Sequence, residues 1–518
     1  MDILYSTLDI ITRRVGRTFP LCPAGAPHTA HVFKCRQRRP GRDLRLYYCR
    51  PIRRCRAMFR MYDFKMDELM AHRFLIFTCC LISAAICVAA DDAQDTARLQ
   101  NWGEWRGPLR TGVAPLADPP VEWNEKKNIR WKVKLPGLGH SSPIVWQNSV
   151  FLTTAIPYGP QLDPVPATAP GAHDNLDVTQ KHRFVVVCVN RTDGTIRWQT
   201  VVNDVLPHEG GHDTGSLASA SPITDGKRVY AHFGSHGLYA LDFDGKLLWK
   251  RDFGRMQSKH AHGEGSSPGL HDGTLVINAD HEQQSFIEAI DAATGVTKWK
   301  QNRNEVTSWA SPLIVEDGER VQVVVAGTDR IRAYDLETGD VLWKCGGLSS
   351  NVVATPVAAG GVLITASSYD TRAMLAINMS GASGDISGSR HLLWSTTQRT
   401  PYVPSMLLIE EQVYFLRHYQ NILSRRNIRT GAESAGPFRL SGVQDIYASP
   451  VAANGRIYIT DLYGRTLVFT HGDQPKHLAL NPLDDGFAAT PALVGQELFL
   501  RGHEYLYCIA NSETFIDE

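Results

Sequence analysis

Short apolar runs, each separated from the next by Gly, Asp or Asn, follow one another through most of the chain. One stretch reads Ala220-Ser-Pro-Ile-Thr-Asp-Gly-Lys-Arg-Val-Tyr230, then Gly237-Leu-Tyr-Ala-Leu-Asp242, then Gly245-Lys-Leu-Leu-Trp249. Alternating apolar and polar residues predict strands with one buried face, and the glycines supply the positive φ that tight hairpins need. The pattern therefore predicts three strands joined by hairpins, the last of which carries a tryptophan.

This pattern recurs along the chain. Each unit begins with a Ser/Thr-Pro pair before an apolar strand: Ser142-Pro143, Ser221-Pro222, Ser267-Pro268, Ser311-Pro312, Thr355-Pro356, Ser449-Pro450 and Thr490-Pro491, with Pro404 of Val403-Pro404-Ser405 as a degenerate eighth member. The period is about 45 residues, which is typical of a four-stranded propeller blade. One interval is longer because a Pro/Gly/Ala-rich insertion, 156–182, separates the second and third strands of the first unit.

The two ends of the repeat array predict how the ring closes. The eighth unit stops near Ala510 without a Trp strand, and an unassigned Trp strand, Asn128-Ile-Arg-Trp-Lys-Val133, precedes the first unit. If that N-terminal strand completes the last blade, no sheet edge remains unpaired. The sequence thus predicts an all-β, eight-bladed β-propeller of four-stranded blades over 125–512, with a lead-in segment at 91–124 and a tail at 513–518. The tryptophans are expected to pack between blades.

Residues 70–90 have the parts of a secretory signal peptide. Arg73 precedes an apolar run from Phe74 to Val88, and small residues end the segment at Ala90. The run is short for a membrane-spanning helix. Residues 1–69 are interpreted as a non-native upstream extension, with Met70 or Met66 as the true start. The predicted location is periplasmic or secreted, with no transmembrane segment in the mature chain.

Charge and cysteine content change once the N-terminal segments are set aside. Residues 1–69 contain 15 Lys+Arg and 6 Asp+Glu, whereas 91–518 contain 38 and 47. An acidic mature chain disfavours nucleic acid as a partner. Of ten cysteines, only Cys188, Cys345 and Cys508 lie in the mature chain. Their separation and apolar surroundings predict buried free thiols. Separately, the protein is expected to be a monomer.

Candidate chemistry lies on loops that a propeller gathers on one face. These are the loops that lead into an innermost strand, here called approach loops, and the loops that join second and third strands, here called 2–3 loops. The candidate metal ligands are His208, His212, His260, His262, Glu264, Asp280 and His281. Trp309 and Asn351 are candidate cofactor-binding residues, and Arg417-His418 lies on a further 2–3 loop.

Imidazoles combined with a carboxylate suit a divalent transition metal. In His260-Ala-His262-Gly-Glu264 the spacing would place three side chains on one side of an extended segment. The alternative interpretation is that these are solvated or structural loop residues, because the spacings match no specific zinc motif.

The motifs Ala-Ser-Pro, Leu-Tyr-Ala-Leu-Asp and Thr-Gly-x-x-x-Trp resemble the PQQ-like, quinoprotein-type repeat family. That family includes alcohol dehydrogenases that use pyrroloquinoline quinone (PQQ) and the outer-membrane assembly lipoprotein BamB. Trp102-Gly-Glu-Trp-Arg-Gly-Pro108 also resembles the lead-in of exported planctomycete members.

The resemblance implies a propeller and leaves two functions open. The first is a non-catalytic, cofactor-free scaffold that binds an envelope protein or a small ligand on its loop-bearing face. The second is an envelope oxidoreductase that uses PQQ with calcium, or an enzyme that uses a divalent transition metal. The mature chain lacks the adjacent cysteine pair of quinone-dependent dehydrogenases, which favours the first.

Overall fold

A computed structural model of the chain describes residues 95–318, 320–417, 420–433 and 435–511. The predicted upstream extension, signal peptide and C-terminal tail lie outside these residues. The described part contains 34 strands, a short helix at 95–99, and the 3₁₀ turns Gly234–His236 and Lys259–Ala261. No helix in it is long and apolar enough to cross a membrane.

The strands form eight sheets. Two strands, β1 (Val113–Ala114) and β2 (Ile129–Lys134), precede the first blade. Blade 1 contains β3 (Ile144–Trp146), β4 (Ser149–Tyr158), β5 (Lys181–Asn190) and β6 (Ile196–Val205). Blade 2 contains β7 (Ile223–Thr224), β8 (Arg228–His232), β9 (Leu238–Asp242) and β10 (Leu247–Arg251). Blade 3 contains β11 (Gly269–His271), β12 (Thr274–Ala279), β13 (Phe286–Asp291) and β14 (Thr297–Asn302). Blade 4 contains β15 (Leu313–Asp317), β16 (Arg320–Val325), β17 (Ile331–Asp335) and β18 (Val341–Cys345).

The remaining blades repeat the arrangement. Blade 5 contains β19 (Val357–Ala359), β20 (Val362–Ser367), β21 (Ala373–Asn378) and β23 (Leu392–Thr396), while β22 (Gly384–Asp385) pairs in parallel with β18 of blade 4. Blade 6 contains β24 (Leu407–Ile409), β25 (Gln412–Leu416), β26 (Ile422–Asn427) and β27 (Phe438–Arg439). Blade 7 contains β28 (Val451–Ala453), β29 (Arg456–Thr460), β30 (Arg465–Thr470) and β31 (His477–Pro482). Blade 8 contains β32 (Ala492–Val494), β33 (Glu497–Arg501) and β34 (Tyr505–Ala510).

The predicted eight-bladed propeller is confirmed, including the way in which it closes. Consecutive strands within each blade are antiparallel, with the first strand innermost. Strand β2 pairs antiparallel with β34, and Trp131 lies opposite Cys508. The N-terminal Trp strand is therefore the outermost strand of blade 8, so the first and last parts of the ring share one sheet.

A closed belt of eight hydrogen bonds joins the innermost strands. In each case a backbone N–H donates to the Ser or Thr hydroxyl at the equivalent place in the next blade, at 2.9 to 3.1 Å; the residues are Ser142, Ser221, Ser267, Ser311, Thr355, Ser405, Ser449 and Thr490. In blade 6 the belt residue is Ser405 and Met406 takes the position of the proline, so the alignment on Pro404 was wrong by two residues. The hydroxyl, not the proline, is the feature shared by all eight blades.

The tryptophans of the outermost strands join neighbouring blades, as predicted. A Cβ at Gly194 would lie 2.7 Å from the Trp131 ring, so only glycine allows the indole to pack on that turn. The Trp131 Nε1–H also donates to the Arg191 carbonyl at 2.8 Å. The equivalent indole bond recurs at Trp198, Trp249, Trp299 and Trp394. Trp343 instead donates to the Gln322 side chain of its own blade.

The lead-in segment crosses the central channel and contacts seven of the eight blades. In six blades it forms a hydrogen bond with the residue three positions after the belt residue, namely Val145, Thr224, Leu270, Ile314, Leu408 and Ala452. In blade 8 the Trp105 indole donates to the Thr490 hydroxyl at 3.3 Å. The buried Arg106 guanidinium also donates to the carbonyls of Met406 and Pro450, at 2.8 and 3.1 Å. Because the innermost strands run away from the approach loops, this segment occupies the opposite end of the channel.

The three cysteines of the described residues are buried free thiols, as predicted. Cys188 and Cys508 lie on strands β5 and β34 inside the core. Burial raises the pKa of the Cys188 thiol to about 11, because the thiolate would lose its hydration. These residues therefore contribute apolar packing.

Candidate ligand-binding cleft

A cleft opens between blades 2 and 3 on the face that carries the approach loops and the 2–3 loops, here called the loop face. It encloses about 750 Å³, part of which is open to solvent. Residues from the approach loops of blades 2, 3 and 4 and from the 2–3 loops of blades 2 and 3 line it. The expectation that both kinds of loop share one face is therefore confirmed at this cleft.

The long insertion of blade 1 lies across the approach loops of blades 2 and 3. Strands β4 and β5 run on to Tyr158 and Lys181, so the segment without regular pairing is 159–180, shorter than the predicted 156–182. The Leu176 N–H donates to the Gly211 carbonyl at 3.0 Å, and the Asn175 side chain donates to the Ala261 carbonyl at 2.8 Å. A Cβ at Gly210 would lie only 1.7 Å from the Leu176 oxygen, so glycine is required for this close backbone approach.

Four histidines cluster beneath the insertion. His173 of the insertion lies with its ring centroid 4.8 Å from that of His260 and 4.9 Å from that of His262. The His212 ring lies 4.6 Å from the His262 ring. Burial is the main reason that the pKa of His262 is lowered to about 4, so this ring is neutral at ordinary pH.

The segment that carries His260, His262 and Glu264 is not extended, contrary to expectation. Residues Lys259–Ala261 form a 3₁₀ turn, and His260 has a φ of 57°. The His260 Nδ1 lies 3.2 Å from the Pro170 carbonyl, and the His262 Nε2 lies 3.1 Å from the His173 carbonyl. Both imidazoles therefore face the insertion, whereas Glu264 lines the cleft.

The seven candidate metal ligands do not form one group. Among the residues that the structure describes, no three His, Cys, Asp or Glu side chains are placed to hold one metal ion. His212, His260 and His262 lie in the histidine cluster, while Glu264, Asp280 and His281 line the cleft. The Nε2 atom of His208, the seventh candidate, lies 2.9 Å from the Met256 carbonyl.

Glu264 is held inside the cleft by Ser235 of blade 2. The Ser235 N–H donates to Oε2 at 2.7 Å, and the Ser235 hydroxyl donates to Oε1 at 2.8 Å. Burial, together with the nearby charge of Glu209, raises the pKa of Glu264 to about 7 despite these two bonds. Glu209 itself is buried, and its Oε1 accepts from the Ser258 hydroxyl at 2.6 Å. Two carboxyl groups therefore share the cleft.

Asp280 forms a buried ion pair with Arg303. Its Oδ1 and Oδ2 lie 2.7 and 3.1 Å from Nε and Nη2 of Arg303, and both side chains are fully buried. The Ser308 hydroxyl donates to Oδ2 as well, at 2.7 Å. On the adjacent His281, burial lowers the pKa, so that ring is neutral. Asp280 therefore adds no unbalanced charge to the cleft.

Asn351, one of the two candidate cofactor-binding residues, does not suit calcium. The Asn351 oxygen accepts from the Lys259 ammonium at 3.2 Å, and this cation would repel calcium at that position. The oxygens of Asp280 are already occupied by Arg303. The Trp309 Nε1–H donates to the Gly263 carbonyl at 2.8 Å, which fixes the indole as one wall of the cleft.

Sequence reasoning missed several residues that the structure brings to this region. His232, His236 and Asn278 line the cleft, and His173 belongs to the histidine cluster. The repeat contains the signal for His232 and His236, because both lie at the 2–3 loop of blade 2, the position that gave Asp280 and His281 in blade 3. His418 lies outside the described residues.

Comparison with known proteins agrees with the repeat. The family model described as "Outer membrane protein assembly factor BamB" (PQQ_2) matches residues 120–281, 182–436 and 283–513. The chain belongs to this PQQ-repeat family. The BamB protein of Yersinia pestis is 28% identical to the chain over 185 residues, which cover 34% of the chain and 42% of that relative. The match therefore spans less than half of the relative's length.

The solved structures that are similar to this chain are distant from it in sequence. The quinohemoprotein alcohol dehydrogenase of Comamonas testosteroni is 11% identical, with a TM-score of 0.54 over 80% of this chain and 81% of the other. BamB of Moraxella catarrhalis is 16% identical, with a TM-score of 0.47 over 70% of this chain and 97% of the other. The similarity to the dehydrogenase shows a shared fold and, at this low identity, carries no information on activity.

Proposed function

We propose that this PQQ-repeat protein is an exported, monomeric scaffold of the cell envelope that binds another protein through its loop face. Its family is described by an outer membrane assembly factor, and the acidic mature chain follows a segment with the features of a signal peptide. The observation that carries the proposal is the position of the lead-in segment, which is hydrogen-bonded to the blades at the opposite end of the channel. The loop face, by contrast, carries the open cleft and the long insertion of blade 1.

Exposed apolar side chains on the loop face offer contact area to a partner. Leu162 of the insertion, Val306 of an approach loop and Tyr369 of a 2–3 loop are 42%, 41% and 56% exposed. Aromatic side chains such as that of Tyr369 are enriched where proteins bind each other.

Site-specific photo-crosslinking in the native host tests the proposal. A photoreactive amino acid is placed at Val306 or at Tyr369, and at Val296 as the matched control. Val296 is 63% exposed and lies on a loop between third and fourth strands, on the opposite face. We expect an adduct with one envelope protein, identified by mass spectrometry, from the loop-face positions only. Equal adducts from Val296, or none from the loop face, would contradict the proposal.

The alternative, a quinoprotein oxidoreductase, has no specific observation in its favour. If the scaffold proposal is correct, PQQ with Ca²⁺ leaves the melting temperature of the purified chain unchanged. A rise of several degrees that disappears in Glu264→Ala would support the enzyme instead.

A further inference from the structure

We infer that the cleft between blades 2 and 3 binds a small organic cation, an ammonium or guanidinium group on an apolar stem. The carboxyl groups of Glu209 and Glu264 pair with the positive charge, and the apolar walls hold the stem. This goes beyond a protein-binding role for the loop face, because it assigns a ligand chemistry to a cleft that such a role does not require.

The charge of the cleft favours a cation. No Lys or Arg is among the described residues that line it. Asp280 is neutralised by Arg303, and burial keeps the pKa of His232 at about 4 and that of His236 at about 3, so these imidazoles are uncharged. Glu209 and Glu264 are therefore the unbalanced groups, and a cation would relieve the repulsion between them.

Two buried polar atoms in the lining have no hydrogen-bond partner. His232 is 4% exposed, and its Nδ1 lies 3.3 Å from the Ser266 carbonyl, so Nδ1 carries the hydrogen and the unpartnered Nε2 is an acceptor. Asn278 is 3% exposed; its Nδ2 donates to Asp280 and Ser308, and its Oδ1 is unpartnered. An unsatisfied buried acceptor destabilises the folded chain, and a hydrogen-bond donor on the ligand would remove that cost.

All four groups accept hydrogen bonds. A ligand with several N–H donors would therefore suit this cleft best. It could donate to the two carboxyl groups, to the His232 nitrogen and to the Asn278 oxygen. Ammonium carries three such donors and guanidinium five when it is a side chain. Anions and acceptor-only ligands are disfavoured on the same ground.

The walls and the size of the cleft favour an organic cation over a bare ion. Phe233, Met256 and the indole of Trp309 line it and offer apolar contacts that a bare ion cannot use. Indole faces attract ammonium and guanidinium groups. No trio of ligands suited to a metal exists among the described residues.

The same chemistry can reach the cleft as a free amine or as a Lys or Arg side chain on a peptide. Isothermal titration of the purified full chain distinguishes these sources. The probes are n-butylammonium, n-butylguanidinium and the peptide acetyl-Ala-Arg-Ala-amide, with neutral butyramide, butyrate, Ca²⁺ and Zn²⁺ as comparisons. Tighter binding of the peptide assigns the cleft to a side chain, and tighter binding of the small cations assigns it to free amines.

We expect at least one cation to bind, and Glu209→Gln and Glu264→Gln each to weaken it by about 10-fold or more. Glu411→Gln is the matched control, because it removes the same charge from an exposed site on blade 6 and should leave affinity unchanged. The wild-type chain gives a second readout that needs no variant. Affinity should rise from pH 6 to pH 8, since Glu264 is more fully ionised at the higher pH.

The inference is overturned if none of the cations binds the folded chain, or if butyramide binds as tightly as they do. It is also overturned if both cleft variants behave like Glu411→Gln, or if only Ca²⁺ or Zn²⁺ binds. None of these outcomes bears on the crosslinking experiment, so the two proposals can fail separately.

Discussion

The backbone N–H of Thr490 donates to the Ser142 hydroxyl at 2.9 Å, which joins the last blade to the first. This bond completes the belt around the channel, while the pairing of β2 with β34 closes the ring at its outer edge. The ring is therefore closed at two places, next to the central channel and at its outer edge. The inner closure uses buried hydroxyl groups, and the outer closure uses a strand ladder.

Removing one belt hydroxyl should destabilise the ring. Thr355→Ala leaves the buried Ser311 N–H without an acceptor, and we expect a loss of about 1–3 kcal/mol in the free energy of unfolding. Urea unfolding followed by tryptophan fluorescence measures it. Thr355→Ser is the matched control, because serine fills this role in most blades, and it should lose much less. Equal losses for the two variants would show that the hydroxyl is unimportant.

Trp131 should contribute strongly to the closure between blades 8 and 1. We expect Trp131→Ala to cost about 3–5 kcal/mol, because a buried indole is lost from the contact with Gly194. Trp131→Phe keeps a ring but loses the bond to the Arg191 carbonyl, and should cost less. Thermal and urea unfolding of both variants provide the test. A loss below 1 kcal/mol for the alanine variant would contradict this role.

Glu264 should make stability depend on pH. Its pKa is raised from 4.5 to about 7, so the folded state holds the proton more tightly than the unfolded state. Stability is therefore unaffected below pH 4.5, falls as the pH rises through the window to about 7, and is level above it. Relative to Glu264→Gln, the wild-type chain should lose up to about 1.4 kcal/mol per pH unit within that window.

Urea unfolding at several pH values measures this difference. Glu411→Gln again serves as the control, since its exposed carboxyl group pairs with Arg429 on the surface. A constant difference between wild type and Glu264→Gln from pH 4.5 to 7 would show that Glu264 is not protonated in the cleft.

Gly210→Ala should release the insertion from the approach loop of blade 2. The new Cβ would lie 1.7 Å from the Leu176 oxygen, so one of the two backbones must move. We expect faster amide hydrogen exchange within 159–180, including the Leu176 N–H, and unchanged exchange in the blade strands. Gly265→Ala is the control, because its Cβ would meet only Trp309, at 3.8 Å. Unchanged exchange in Gly210→Ala would show that the insertion is held elsewhere.

The repeat made the fold predictable, because each blade uses local signals. Hairpin glycines, strand alternation and the Trp positions lie within about 45 residues of one another, and the missing strand of the eighth unit identified its N-terminal substitute. The crossing of the channel by Arg106 and its neighbours had no such signal. It depends on contacts with residues 300 and 344 positions away, which no periodicity reports.

The candidate site was only partly predictable for a related reason. The repeat correctly placed Glu264, Asp280, His281 and Trp309 on one cleft. It could not show that Ser235 draws Glu264 inward, or that a positive φ at His260 turns the imidazoles outward. These side-chain orientations depend on contacts with neighbouring blades and with the insertion. Residue spacing along one segment therefore does not determine them.

The order in which the strands leave the ribosome has a consequence for folding. Ile129 pairs with Ile509, so the first strand of the ring waits for almost the whole remaining chain before it can enter a sheet. Contacts this distant in sequence slow folding and leave edges exposed in partly made chains. The ring therefore stays open until the strand that contains Ile509 has been synthesised, and strand β2 has no partner in its sheet before then.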